Sequence, residues 1–142
     1  MARALAAART AAAEGEVPVG AAVVRDGAVV ALAANAPRLL CDPTAHAEIR
    51  AIRDAAQRLG RERLEDCDLY VTLEPCAMCA GAIAHARLRR LYYGAPDPKG
   101  GAVEHGPRLF SQPTCHHRPD VYAGIGEAES AALLRGFFAA RR

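Results

Sequence analysis

From Leu69 to Gly94 the sequence runs as strand, helix and strand, and this unit constrains everything around it. Val71-Thr72-Leu73 is a short apolar run with β-branched residues, and Glu74-Pro75 ends it. Cys76-Ala77-Met78-Cys79 then opens a helix expected from Ala77 to about Ala86, and Arg89 to Gly94 is extended again. Strands joined through a helix pair in parallel, and a parallel pair needs cover on both faces. Residues three apart share one face of a helix, so Cys76 and Cys79 point at a common spot. That spot lies at the helix N-terminus, where unpaired N–H groups and the positive end of the dipole stabilise thiolates.

The remaining elements fit around this unit. Leu5, Ala8 and Ala12 mark a narrow stripe on a first helix that ends near Gly15. Pro18 to Val24 and Ala28 to Ala34 read as two strands joined by Asp26-Gly27, a good two-residue hairpin turn. Neither alternates cleanly, so both are expected to be covered on both faces. Asn35 to Thr44 is a loop, and a helix from about Ala45 to Leu59 follows, with Thr44 as its N-cap. Ile49, Ile52, Ala56 and Leu59 are its expected buried stripe. The stretch 95–119 is loop-rich, and an irregular run of that length is often functional. Asp120 to Ile125 reads as a short last strand. Glu127 to Ala140 reads as a closing helix with Leu133, Leu134, Phe137 and Phe138 to bury. The expectation is one α/β domain over residues 1–142, a three-layer α/β/α arrangement with a mixed sheet of about five strands between helices.

Composition narrows the class. The chain of 142 residues is 51% hydrophobic and 24% charged, as in ordinary globular proteins. No apolar run approaches the span of a bilayer, and the Ala/Arg-rich start lacks the apolar core of a secretory signal. Five cysteines (Cys41, Cys67, Cys76, Cys79, Cys115), an odd count, point to a reducing compartment such as the cytoplasm. Residues 1–85 carry 9 basic and 11 acidic side chains, a net of −2, and residues 86–142 carry 9 and 5, a net of +4. A positive second half suits a polyanionic partner, and a solvated arginine-rich surface accounts for it equally well.

The cysteine pair by itself admits three readings: two metal ligands, a redox dithiol, or two buried thiols. A structural zinc knuckle would need a second such pair, and none exists. Cys115-His116-His117 is the other Cys/His cluster and reads as an ordinary loop. His46-Ala47-Glu48 changes the balance. Two residues apart at a helix start, His46 and Glu48 converge only off the helix end, where Cys76 and Cys79 would stand if two helix N-termini faced one another. His46, Cys76 and Cys79 then supply three zinc ligands and leave a fourth position for water, with Glu48 as the nearby base. H-x-E with P-C-x-x-C is the signature of the zinc nucleobase deaminases.

At these residues the chain resembles the cytidine and nucleoside deaminase superfamily, and within it the bacterial tRNA adenosine deaminases. Glu16 to Ala21, Asn35, Asp42 to Ile49, Leu69 to Gly81, Tyr93-Gly94-Ala95, Asp97 and the closing Ala131 to Arg142 all read as that group does. Ala34 and Ala36 depart from it, as does the stretch 102–115. The resemblance implies a cytidine-deaminase-like fold, one Zn2+ per subunit on His46, Cys76 and Cys79, and Glu48 as proton shuttle. It implies that Asn35 hydrogen-bonds the target base, that Asp97 lies beside the flipped nucleotide, and that the helix around Phe138 flanks the anticodon loop. It further implies a homodimer that deaminates adenosine to inosine at the wobble position of a tRNA anticodon stem-loop, with no DNA or membrane partner. Three rival readings remain: a free-base, nucleoside or nucleotide deaminase on the same zinc core, a zinc-stabilised RNA-binding module without catalysis, and a thioredoxin-like dithiol.

Overall fold

A computed structural model describes all 142 residues. Its elements are α1 (Ala2–Ala13), β1 (Gly20–Arg25), β2 (Ala28–Ala34), α2 (Ala47–Leu59), β3 (Cys67–Leu73), α3 (Ala77–Ala86), β4 (Arg90–Ala95), β5 (Asp120–Tyr122) and α4 (Glu127–Ala139). The five strands form one mixed sheet in the order β2-β1-β3-β4-β5. β1 is antiparallel to both its neighbours, while β3, β4 and β5 run parallel. α1 and α4 pack on one face of the sheet, and α2 and α3 pack together on the other. The strand–helix–strand unit is therefore β3–α3–β4, and the three-layer α/β/α expectation holds.

Local chemistry explains the main joints. Asp26 and Gly27 turn the hairpin with φ of 50° and 77°, the two positive values that a tight turn matched to strand twist requires. α1 lies directly on β1: a Cβ at Gly20 would stand 1.9 Å from the Ala4 carbonyl oxygen, so only glycine admits that approach. The core between the sheet and the α2/α3 layer gathers Val23, Leu69, Val71, Ile83, Leu88, Leu91 and Tyr93.

Several expectations are corrected. β1 is covered on both faces, but β2 ends the sheet, with no strand on its outer side, and only Ala31 of it is buried. α2 begins at Ala47 with His46, not Thr44, as its N-cap; Thr44 lies two residues before that cap, in a turn where its backbone N–H and hydroxyl both donate to Asp42 Oδ1. The buried stripe of α2 is Ala47, Ala51 and Ala55 with Ile49, whereas Ile52, Ala56 and Leu59 are half-buried at its margin. In α4 only Ser130 and Phe137 are buried. Phe138, one residue further around the helix, is 48% exposed. The last strand stops at Tyr122.

Candidate active site

Two helix starts build the centre. His46 and Cys76 are the N-caps of α2 and α3, both extended, with ψ of 153° and 176°. An extended cap residue turns its side chain off the helix end instead of along its flank. α2 and α3 pack side by side, so these ends adjoin. His46 Nδ1 lies 3.7 Å from Cys76 Sγ and 3.5 Å from Cys79 Sγ. Cys79, one turn into α3, is fully buried.

The three donor atoms lie within 4.8 Å of one another, and no other group of histidine, cysteine or carboxylate side chains is clustered in this way. Zinc–sulfur and zinc–nitrogen bonds at tetrahedral angles place a nitrogen and a sulfur ligand about 3.6 Å apart. The observed separations meet that requirement. No disulfide joins Cys76 to Cys79. A set of two sulfurs and one imidazole is what zinc favours, and three protein ligands are the mark of a catalytic rather than a structural site.

Glu48 occupies the first turn of α2 and is 4% exposed. Burial pushes its carboxyl up to about 7, against a bond from its own backbone N–H; Cys76 adds to the rise, and His46 opposes it. A buried carboxyl whose proton affinity is raised in this way is suited to take and return a proton. Cys76 is held down at about 5, chiefly by the hydrogen bond from Cys79 and by the backbone N–H groups of Cys79 and Met78. The same bond, together with burial, pushes the Cys79 thiol up. Without metal, one thiolate and one thiol share the site.

Asn35 follows β2 and is 8% exposed. Its backbone N–H donates to the Val19 carbonyl, and the next residue, Ala36, donates to the Ala45 carbonyl at 3.0 Å, beside His46. The guanidinium of Arg50, in α2, donates to the Ala34 carbonyl. Asn35 is therefore tied to the segment that carries His46 and Glu48. Asp97 heads the loop after β4, its Oδ1 accepting the backbone N–H groups of Lys99 and Gly100 at 3.2 and 3.0 Å. Phe138 is not brought into the cluster: it stands on α4, across the sheet from α2 and α3, edge-on to Phe137.

Sequence reasoning missed Glu74. This carboxylate, 2% exposed and two residues before Cys76, accepts backbone N–H groups of the loop after β4. Its place between an apolar strand and Pro75 was the available signal, since a carboxylate there must find buried partners. Cys115 and His117 serve structure: the Cys115 thiol donates to the His117 carbonyl, and His117 Nε2 donates to the Leu88 carbonyl at 2.6 Å. A cavity of about 460 Å3 lies along the exposed side of α3 against 109–117 and is lined by none of His46, Glu48, Cys76 or Cys79.

The fold and this donor set define a zinc-dependent deaminase: residues 1–95 match the profile of the cytidine and deoxycytidylate deaminase zinc-binding region. A tRNA-specific adenosine deaminase of Agrobacterium fabrum is 63% identical over 139 residues, spanning 98% of this chain and 91% of that protein. A solved structure from studies of A-to-I editing by tRNA:A34 deaminases at the wobble position of transfer RNA superposes with a TM-score of 0.93. It is 63% identical and spans 94% of this chain and 97% of that one. A guanine deaminase of Bacillus subtilis superposes with a TM-score of 0.67 at 36% identity, spanning 99% of this chain and 90% of that one. The chain belongs to the cytidine and deoxycytidylate deaminase family, in its branch of tRNA-specific adenosine deaminases.

Proposed function

We propose that this protein is a hydrolase that converts adenosine to inosine at the wobble position of a tRNA anticodon. The observation that carries the reading is the convergence of His46, Cys76 and Cys79 beside buried Glu48, in a chain 63% identical to a tRNA-specific adenosine deaminase. His46, Cys76 and Cys79 hold one zinc ion per chain. When bound, zinc supplies Lewis acidity that brings a water molecule toward ionisation at neutral pH.

The chain's own residues do the rest. Glu48 takes a proton from the attacking water and passes it to the ring N1 as a C–O bond forms at the purine C6. It then moves the proton of the new C6 hydroxyl to the amine, so that the C6–N bond breaks and C6 is left as a carbonyl. The products are inosine and ammonia, so atoms and charge balance. Asn35, held beside the His46 segment, hydrogen-bonds the base, and Asp97 lies beside the flipped nucleotide. Phe138, exposed on α4, flanks the loop. Anticodon bases are unpaired, so drawing one out of the stack costs little.

The protein acts as one deaminase domain over residues 1–142, in the cytoplasm and as a homodimer. Leu39, Leu40 and Met78 are 64%, 52% and 36% exposed, apolar surface that a second copy would cover. No helix is long and apolar enough to cross a membrane. The test is incubation of the zinc-loaded protein with a synthetic anticodon stem-loop bearing adenosine at the wobble position, scored for inosine. A parallel panel of guanine, cytosine, nucleosides and deoxycytidylate is expected to remain unchanged. Turnover of a free base with none of the stem-loop would replace this reading with that of a small-molecule deaminase.

A further inference from the structure

Glu74 takes five hydrogen bonds on two oxygens, all from one loop. Oε1 accepts the backbone N–H of Asp97 at 3.1 Å and the ring N–H of His105, through Nδ1, at 2.7 Å. Oε2 accepts the backbone N–H groups of Val103, Glu104 and His105 at 3.2, 3.1 and 3.1 Å. An ionised carboxylate has acceptor sites only, which is what a ring of donors demands. The cradle closes at Gly101, where a Cβ would stand 2.5 Å from the Asp97 carbonyl oxygen and 2.5 Å from the Glu74 carboxyl. The next residue, Ala102, donates its N–H to the Pro75 carbonyl at 2.9 Å. The turn 97–105 is thus wrapped around the segment that leads directly into Cys76.

We infer that Glu74 is a positioning residue for the reaction: with His105 as its side-chain donor, it holds the 97–105 turn against the metal-bearing segment and so sets where Asp97 stands. The inference rests on the reading of Asp97 as a substrate contact. Glu74 touches neither substrate nor metal; it acts through the loop. Because Glu74, Cys76 and Cys79 lie within six consecutive residues, one short segment spaces the loop of Asp97 from the metal ligands.

His105→Ala removes one donor and keeps the carboxylate. It is expected to raise KM for the anticodon stem-loop about fivefold while kcat stays within about twofold and zinc content is unchanged. His105→Asn, which offers a side-chain N–H at similar reach, restores most of the loss. Glu74→Gln turns an amide NH2 toward backbone donors and is expected to raise KM by about tenfold or more. The decisive measurement is a cycle with Asp97→Ala: adding His105→Ala to that variant leaves KM where Asp97→Ala already put it. Full additivity, or a native KM in both His105→Ala and Glu74→Gln, overturns the inference. A native KM in Asp97→Ala alone overturns the reading of Asp97 and this inference with it. Failure of the unaltered protein to deaminate the stem-loop would instead sink the proposed function. If Glu74→Gln fails to fold, the His105 and Asp97 series decides by itself.

Discussion

His46 Nδ1 and Cys79 Sγ lie 3.5 Å apart across 33 residues of sequence, one on the cap of α2 and the other one turn inside α3. Cys76 is already ionised near neutrality, at about 5, while the thiol of Cys79 is pushed up by Cys76 and by burial. Zinc requires both sulfurs as thiolates. Metal uptake at pH 7 should therefore release about one proton, from Cys79, and affinity should fall as pH falls. Titration calorimetry in two buffers of different ionisation enthalpy measures that count. Cys79→Ser should lower zinc content to a small fraction of native.

Glu48→Gln keeps the size and burial of the side chain and removes its basicity. Deamination of the stem-loop should fall about 10³-fold, with zinc content and stem-loop affinity close to native. A variant with full turnover would remove Glu48 from the mechanism. The RNA-binding module without catalysis makes the opposite forecast, because for it the exchange is silent.

Stability should decline at both extremes of pH. Asp42 is held below its ordinary 3.8 by Thr44, and Asp66 by Arg61. Burial alone would raise Glu74, but the N–H groups of Asp97, His105 and Glu104 outweigh it and leave it below 4.5. Carboxyls depressed in the folded state bind fewer protons there than in the unfolded chain. Their contribution is present above about pH 4.5 and is lost as pH falls through the folded values. Cys67 behaves oppositely: burial pushes its thiol from 9.0 up to about 11, so its contribution is present below pH 9 and is lost as pH rises through about 11. Urea midpoints of the zinc-loaded protein at pH 3, 7 and 11 should therefore peak in the middle.

Phe137 and Phe138 should separate stability from recognition. Phe137 is buried, with the Arg141 guanidinium 3.5 Å above its ring, and its replacement by alanine should cost about 3 kcal/mol in urea unfolding. Phe138→Ala removes an exposed ring and should change stability by less than about 0.5 kcal/mol. If Phe138 stacks on the anticodon loop, its loss should raise stem-loop KM about tenfold. Equal KM values for Phe138→Ala and the unaltered chain would remove Phe138 from the substrate contacts.

Sequence legibility followed the physics of each signal. Strong punctuation read well: Asp26-Gly27 placed the hairpin, and Pro75 with the cysteines placed the start of α3. The metal donors were legible because H-x-E and P-C-x-x-C are spaced for chemistry rather than for packing. Alanine stripes were not, since Ala47, Ala51 and Ala55 carry too weak a hydrophobic contrast to outvote Ile52 and Leu59. Thr44 misled because a residue type common at caps serves equally in a turn, and here it closes the turn at Asp42 two residues before the helix cap. Glu74 was legible only as a carboxylate in need of buried partners; that these are four backbone N–H groups and the ring of His105, more than twenty residues on, leaves no mark in a sequence.

Every proposed zinc ligand and the proton-handling carboxylate lie before residue 80, while Asp97, the turn around Glu74 and α4 lie after it. On the proposed roles, the first stretch carries the reaction together with Asn35, and the second carries the remaining substrate contacts. On those roles, drift in residues 95–142 would re-aim the enzyme among purine-bearing substrates without reopening the metal chemistry, provided a carboxylate at 74 still has a loop to hold. Guanine and tRNA adenosine deaminases sharing one scaffold is the diversity such a division permits.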